Sequence, residues 1–334
     1  MGYAHIENLY KDQTILLFRE AWALEKIHGT SSHISWNFNK QTQGRDLHFF
    51  AGGESHVLFV SLFNQDTLLK GFADLGLGPD QDITIYGEAY GGSQQKMSHT
   101  YGDKLMFIVF DVQIGETWLN VPNAEDVAKK LGLEFVHYIK VSLVKATTND
   151  LGIMVVETSL DGVDAQRDAL SVQAIRNGVS SIVGHNVLTE NDGVVEVPNI
   201  GRVFNPKPRE GIVIRPLVEM TDNRGNRVIC KHKGDKFKET ATPRPVVDPS
   251  KMKALSDANA VANEWVTATR LEHVLDKLPG HCMERMRDII AAMQEDVLRE
   301  GKGEIVESDA VKKAIGKKAA EMYKSFLKIQ LEKS

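Results

Sequence analysis

The sequence predicts an α+β fold, with a mostly antiparallel β-rich region up to about residue 240 and a small all-helical region after it. Three observations predict this. Short apolar runs rich in β-branched and aromatic residues recur up to that point, punctuated by Gly, Asn and Asp. The stretch "ETATPRPVVDPS" (239–250) then carries three prolines, which break regular structure and mark a linker. Beyond it come three helical patterns and no strand pattern. The boundaries read as one domain over 1–240, a linker over 241–250 and a helical domain over 251–334.

The strand candidates in order are "SSHISWNF" (31–38), "SHVLFVSLF" (55–63), "ITIYGEAY" (83–90), "KLMFIVFDV" (104–112), "GIVIRPLV" (211–218) and "RVICKH" (227–232). Two helices interrupt them. "AEDVAKKLG" (124–132) has Asn123 to cap its start and Gly132 to end it, and "DAQRDALSVQAIRNG" (164–178) is the second. Many strands with few helices between them favour antiparallel pairing. In the tail, 250–278 and 280–301 carry apolar residues at helical spacing, and 308–334 opens on Ser308 or Asp309 as a cap. The tail's charges are of both signs and interspersed, as on solvated helix faces.

With 334 residues, 42% of them hydrophobic and 25% charged, the chain can bury two cores. Its 40 basic and 45 acidic residues give a net charge of −5, so no global basic field advertises a polyanionic partner, and such a site has to be local. Cys230 and Cys282 match no metal-ligand spacing and suit free thiols in a reducing compartment, which makes the cytoplasm the expected location. No signal pattern and no bilayer-spanning apolar run is present in the sequence, so no membrane partner is expected.

Charged residues set in or beside apolar strand patterns are the chemical signal. They are Lys26 in "EKIHGT", Glu88 in "IYGEAYGG", Glu210 in "REGIVIRP", and Lys231 with Lys233 in "CKHKGDKF". Taken alone, Lys26 reads as a surface lysine on an edge strand, and Lys231 with Lys233 as two solvated lysines on an exposed face. Lys231 and Lys233 are two apart, so on a strand they share a face while Cys230 and His232 point the other way. Two like charges on one face suit a polyanion lying between them, and a triphosphate is the economical candidate. An amine beside such cations, partly buried and near a metal ion, is expected to lose its proton more readily and act as a nucleophile. Attack by Lys26 on the α-phosphate of a nucleotide would give a phosphoramidate and release pyrophosphate. Gly29 would let backbone approach that phosphate, and Glu210 would hold a hard divalent cation.

"EKIHGT", "IYGEAYGG", "FIVFDV", "EGIVIRP" and "KHKGDKF" follow one another in the order and spacing of the motifs shared by ATP-dependent ligases and RNA capping enzymes. The lysine followed by Ile-His-Gly, the chain length and a helical tail instead of an OB domain resemble the phage RNA ligase 2 family over nearly the full length. The resemblance implies a nucleotidyltransferase domain and an ATP-dependent RNA ligase. It makes Lys26 the adenylated nucleophile, with Glu25 and Ile27 beside it at the adenine pocket. Glu88 would bind the ribose hydroxyls and Phe107 would stack on the adenine. Glu210 would be linked to Mg²⁺, or to Mn²⁺ in its place, Lys231 and Lys233 would contact the phosphates, and His28 would serve the later sealing steps.

Two departures from the family pattern stand out. The arginine that usually lies between the nucleophile and the Glu88 motif is missing from "FFAGGESH" (49–56), and Arg45 is out of register. Backbone amides around Gly52 and Gly53 are the replacement anion nest to look for. Ser31 also stands where an asparagine commonly follows the Gly-Thr pair. The expected protein is a monomeric ligase in RNA repair, joining 3′-hydroxyl and 5′-phosphate ends at nicks in RNA-containing duplexes. The rival readings are a DNA nick ligase, a capping guanylyltransferase, and a nucleic-acid-end binding protein that has lost sealing.

Overall fold

The structure is a computed structural model that describes residues 2–78, 81–96, 98–148, 154–158, 194–197, 201–204, 210–234, 237–242, 256–278, 280 and 282–333. The helix expected over 164–178 and most of the linker lie outside these residues. The chain divides into two compact units, Met1–Gly234 and Asp235–Ser334.

The first unit is built on two five-stranded sheets. In the first, β1 (Glu7–Asn8), β14 (Cys230–Lys233), β13 (Gly211–Pro216), β2 (Glu20–Lys26) and β8 (Tyr138–Ser142) lie side by side in that order. Only β1 and β14 run parallel; the other pairs are antiparallel. The second sheet orders β4 (Gly44–Phe50), β3 (Thr30–Asn39), β5 (Ile83–Tyr90), β6 (Met106–Ile114) and β7 (Thr117–Trp118), all antiparallel. Two hairpins, β9 (Val144–Thr148) with β10 (Met154–Thr158) and β11 (Val194–Val197) with β12 (Gly201–Phe204), complete the strands among the described residues. The fold is α+β and mostly antiparallel, as the strand density predicts.

One face of the second sheet is covered by α1 (His56–Val60), α2 (Gln65–Asp74) and α4 (Val121–Lys130); a short helix, α3 (Ser98–Tyr101), lies in the β5–β6 connection. Ile34, Ile85, Val109 and Val112 from the strands pack there with Phe59, Phe72 and Ala128 from the helices. α1 corrects the strand expected over 55–63. Ser55 accepts a hydrogen bond from the Leu58 N–H at 3.5 Å and caps a helix of which Phe59 alone is fully buried. α4 begins three residues before the expected start, because Asn120 and not Asn123 is the cap, and Pro122 suits the first helical turn.

The second unit packs α5 (Ala258–Trp265), α6 (Ala268–Asp276), α7 (Met286–Glu300) and α8 (Asp309–Lys333) around Trp265, Leu271, Ile289, Met293, Ile315 and Tyr323. The helical pattern over 250–278 is divided at Val266 and Thr267, where Thr267 accepts from the Arg270 N–H and starts a second helix. Ser308 is the cap of α8, accepting from the Val311 N–H at 3.2 Å. Residues 239–242 belong with this unit: the Ala241 N–H donates to the Glu264 carbonyl, and the Thr267 hydroxyl to the Glu239 carbonyl.

Candidate active site

Strand register brings the lysines together. Lys26 at the end of β2, Gly211 in β13 and Lys233 in β14 form one cross-strand row. Leu24, Val213 and Lys231 form the next row, and Trp22 with Arg215 the one after. Residues opposite one another and two apart share a face, so Lys26, Lys233, Lys231 and Arg215 all project from the same side of the first sheet. Gly211 is required between the two lysines. Its φ is +154°, and a Cβ there would overlap the His232 carbonyl oxygen.

Glu210, one residue before that row, gathers the cations. Its Oε2 lies 2.8 Å from Lys26 Nζ and 3.1 Å from His28 Nδ1, and its Oε1 lies 3.1 Å from Lys233 Nζ. The carboxylate is 2% exposed. Burial alone would push its pKa up, but the charges of Lys26, Lys233 and His28 together hold it well below the usual carboxylate range. The anion among these lysines is therefore the protein's own. Lys231 sits one row further along the face and is itself buried.

Glu88 approaches the same turn from the second sheet. Its Oε1 accepts the Gly29 N–H at 3.1 Å, and a Cβ on Gly29 would overlap the Ala89 carbonyl oxygen. The Lys-x-x-Gly turn thus needs its glycine to dock on β5, a role the sequence did not suggest. Burial pushes the Glu88 carboxyl up to about 7, with Glu210 adding to the shift and Lys26, the Gly29 amide and Lys233 opposing it. A carboxyl whose folded pKa is raised holds its proton more tightly folded than unfolded, so its contribution to stability is lost as pH rises from about 4.5 to about 7. Urea unfolding of wild type against Glu88→Gln across this window is expected to show a wild-type decline that the variant lacks.

Phe107 does not join these residues. In the β5–β6 register Glu88 lies opposite Ile108 and Ala89 opposite Phe107, so Phe107 projects from the far face. Its ring is 9% exposed and packs edge-on against Phe59 and Phe63, 5.4 and 5.5 Å between centroids. It is core, and the assignment as adenine platform is corrected. Ile108 and Phe110, two apart, share the Glu88 face. Phe110 is the extra residue at the register shift by Tyr86 and Gly87 and is half-buried. Alternation within "FIVFDV" was the signal that separates the two phenylalanines. Glu25 is likewise buried on the face opposite Lys26, and Ile27 is buried just beyond the strand.

The stretch without an arginine forms a turn that its own neighbours satisfy. Gly52 adopts φ +61°, the Gly53 N–H donates to Thr30 Oγ1 at 2.8 Å, and Glu54 accepts from Gln94 Nε2 at 2.5 Å. The nest expected at Gly52 and Gly53 is corrected, since the second amide is already engaged. Arg45 is committed elsewhere, with its guanidinium 4.5 Å from the Trp36 ring centroid and bonded to the Gly78 and Gln81 carbonyls. Gln94 belongs to the β5–β6 connection, which also supplies Tyr101. The Tyr101 hydroxyl accepts the His28 N–H at 3.2 Å, and the residue is fully buried against Tyr90. Neither residue was singled out from sequence, because neither lies in a charged motif.

A charge network closes the other end of the space between the sheets. Asp111 in β6 accepts from Arg215 at 3.0 Å, from Arg227 at 2.7 Å and from the Tyr3 hydroxyl at 2.6 Å. Glu219 accepts from both arginines, and Arg227 lies 4.0 Å over the Trp118 ring. Arg215 and Lys26 share a face, so this clamp fixes the distance between the sheets that carry Lys26 and Glu88.

Three structures of Naegleria gruberi RNA ligase are similar to this chain at low identity: an apo mutant (12% identity, TM-score 0.42), the ligase with PPi (14%, 0.40) and a mutant with ATP and Mn (13%, 0.41). Each match covers 71% of this chain and 57% of the other, so the chain spans less than two thirds of their length. No curated protein matches the chain. The match that bears on identity is to the RNA ligase family model, which runs from residue 19, just before β2, to Lys233 at the end of β14. It takes in more than half of the chain and every residue of the Glu210 cluster, and the chain belongs to the RNA ligase family.

Proposed function

We propose that the protein is an ATP-dependent RNA ligase that joins 3′-hydroxyl and 5′-phosphate ends, at nicks in a duplex, through a lysyl-AMP intermediate on Lys26, with Met1–Gly234 as the adenylyltransferase unit. The observation that supports this most is the convergence of Lys26, His28 and Lys233 on the buried Glu210 carboxylate.

In the first step, neutral Lys26 Nζ attacks the α-phosphorus of ATP. A P–N bond forms, the P–O bond to pyrophosphate breaks, and a proton leaves the amine. Lys233 and Lys231 supply positive charge for the phosphates as the leaving group departs. Glu88 accepts from the ribose hydroxyls, and Phe110, on the Glu88 face, takes the base-stacking role first given to Phe107. In the second step a 5′-phosphate oxygen attacks the AMP phosphorus, the P–N bond breaks and the lysine amine regains its proton. In the third, the 3′-hydroxyl attacks the 5′-phosphate and AMP leaves. His28, bonded through its N–H to Tyr101 and through Nδ1 to Glu210, serves these later steps.

Among the described residues no group of three or more His, Cys, Asp or Glu could cage a metal ion. One buried, ionised carboxylate fits Mg²⁺, which is usually held by one or two carboxylates together with substrate phosphates. Glu210 would hold it, or Mn²⁺ in its place, and the ion would supply neutralisation of phosphate charge. Glu54 in the turn that lacks the family's arginine supports an altered grip on the 5′-phosphate.

The test is transfer of label from α-phosphate-labelled ATP to protein, after pyrophosphate treatment to strip bound AMP. Wild type is expected to label and Lys26→Ala to lose at least about 10³-fold, the scale for removing a covalent nucleophile. An unlabelled wild type sinks the reading. Nicks with RNA or DNA on either side then rank the substrates, and GTP in place of ATP tests the capping alternative.

A further inference from the structure

Phe50 is the only exposed Phe, Tyr or Trp among the described side chains. It ends β4 inside the stretch that lacks the family's arginine, two residues before the Gly52 turn. Phe49 and Leu47 of the same strand pack against the core, so alternation turns Phe50 to the opposite face of the second sheet, the one that carries Glu88. There its ring stacks on His33 of β3, 4.9 Å between centroids and 19° between planes, and His33 in turn lies 5.4 Å from the buried Tyr86 ring of β5. Burial pushes the His33 imidazole down to about 4, so at neutral pH it is an uncharged flat ring. The row Phe50, His33, Tyr86 is next to the row that pairs Ser31 with Glu88, about 7 Å away along the strands.

His33 covers one face of the phenyl ring, and the residue is still 41% exposed, so what it offers is a single flat aromatic surface. Around it on this face β3 and β4 place Ser31, Ser35, Asn37, Asp46 and His48, and no lysine or arginine to hold a phosphate. One ring in polar company is also too little for a protein interface, which buries roughly 800 Å² on each partner. A nucleobase is flat and stacks on an aromatic ring whatever its identity. A base inside a continuous helix has both faces covered by its neighbours, so the ring suits a base that is unpaired. We infer that Phe50, backed by His33, stacks on an unpaired base of the RNA, on the nucleotide that carries the 5′-phosphate. The choice of RNA rests on the ligase reading above; the choice of a base rests on the platform itself. The stretch that lacks a cationic phosphate ligand would then hold the strand end by its base.

The experiment uses the full chain and two fluorescent RNA duplexes with the same nick. In one the 5′-phosphorylated nucleotide carries an unpaired adenine; in the other that nucleotide is abasic. Wild type is expected to bind the first at least about fivefold more tightly by anisotropy, the lower end of what one base gains from stacking on an aromatic ring. Phe50→Ala is expected to bind both equally, at the wild-type affinity for the abasic duplex, and Phe50→Tyr, which keeps the ring, to discriminate as wild type does. Leu17→Ala, which removes an exposed apolar side chain elsewhere, is expected to leave the discrimination unchanged. Equal wild-type affinities, or no binding to either duplex, overturn the inference, as does discrimination that survives in Phe50→Ala. The wild-type comparison decides even where Phe50→Ala does not fold. A wild type that labels Lys26 and does not discriminate sinks the platform alone. Failure to label Lys26 would count against the ligase reading and leave the base comparison standing.

Discussion

Glu210→Gln is expected to abolish lysyl-AMP formation and to destabilise the first unit by about 3 kcal/mol or more, the scale for removing one partner from buried ion pairs. The reason is arithmetic of charge. Lys26, Lys233 and His28 all lie within 3.1 Å of this one carboxylate, and an amide of the same shape leaves them facing one another. The effect has a pH signature. Because the Glu210 pKa is depressed when folded, its contribution is complete above the ordinary carboxylate value of 4.5 and is lost as pH falls through the lower, folded one. Wild type should therefore lose stability toward acid, and Glu210→Gln should lose less. Urea midpoints at neutral and acidic pH check this, and equal acid sensitivity in both proteins would contradict it.

Asp111→Asn should be comparably damaging although it touches no reacting group. Asp111 is fully buried and accepts from Arg215, Arg227 and Tyr3. Losing its charge leaves two guanidiniums sharing Glu219 alone, with an expected loss of about 3 kcal/mol or more in the unfolding of the first unit. An exposed pair gives the contrast: Lys140→Ala, which breaks the 2.9 Å contact with Glu20, should cost within about 1 kcal/mol. Labelling of Lys26 is expected to fall in Asp111→Asn even where the protein remains folded, because the clamp sets the spacing between Lys26 and Glu88.

The fold was legible where period and punctuation agreed. "ITIYGEAY" is β5 residue for residue, because alternating apolar positions are bounded by polar turns. "SHVLFVSLF" was not, because a short apolar run is helix or strand according to its first turn, and here Ser55 supplies a helix cap. Of the site, the charged residues were legible: Lys26, His28, Glu210 and Lys233 meet within hydrogen-bonding distance although Lys26 and Glu210 are 184 residues apart. What pairs with what was not. Reasoning from motifs set cation against cation around Lys26, whereas the structure puts a carboxylate between them. Facing was also missed for Phe107, since a motif fixes the residue type and strand register fixes the side of the sheet. Tyr101 and Gln94 escaped because they act through a backbone amide and a neighbouring carboxylate, which leave no mark in composition.

The separation of Lys26 from Glu210 also bears on how the protein is made. A ribosome adding about 5–20 residues per second takes roughly 10–40 s to travel those 184 residues. Throughout that interval β2 lacks β13, its antiparallel partner on one side, and Lys26 lacks its counter-ion. The turn that carries Lys26 therefore emerges 184 residues ahead of the carboxylate that completes it, and a nascent chain cut short before Glu210 carries the lysine without its partner.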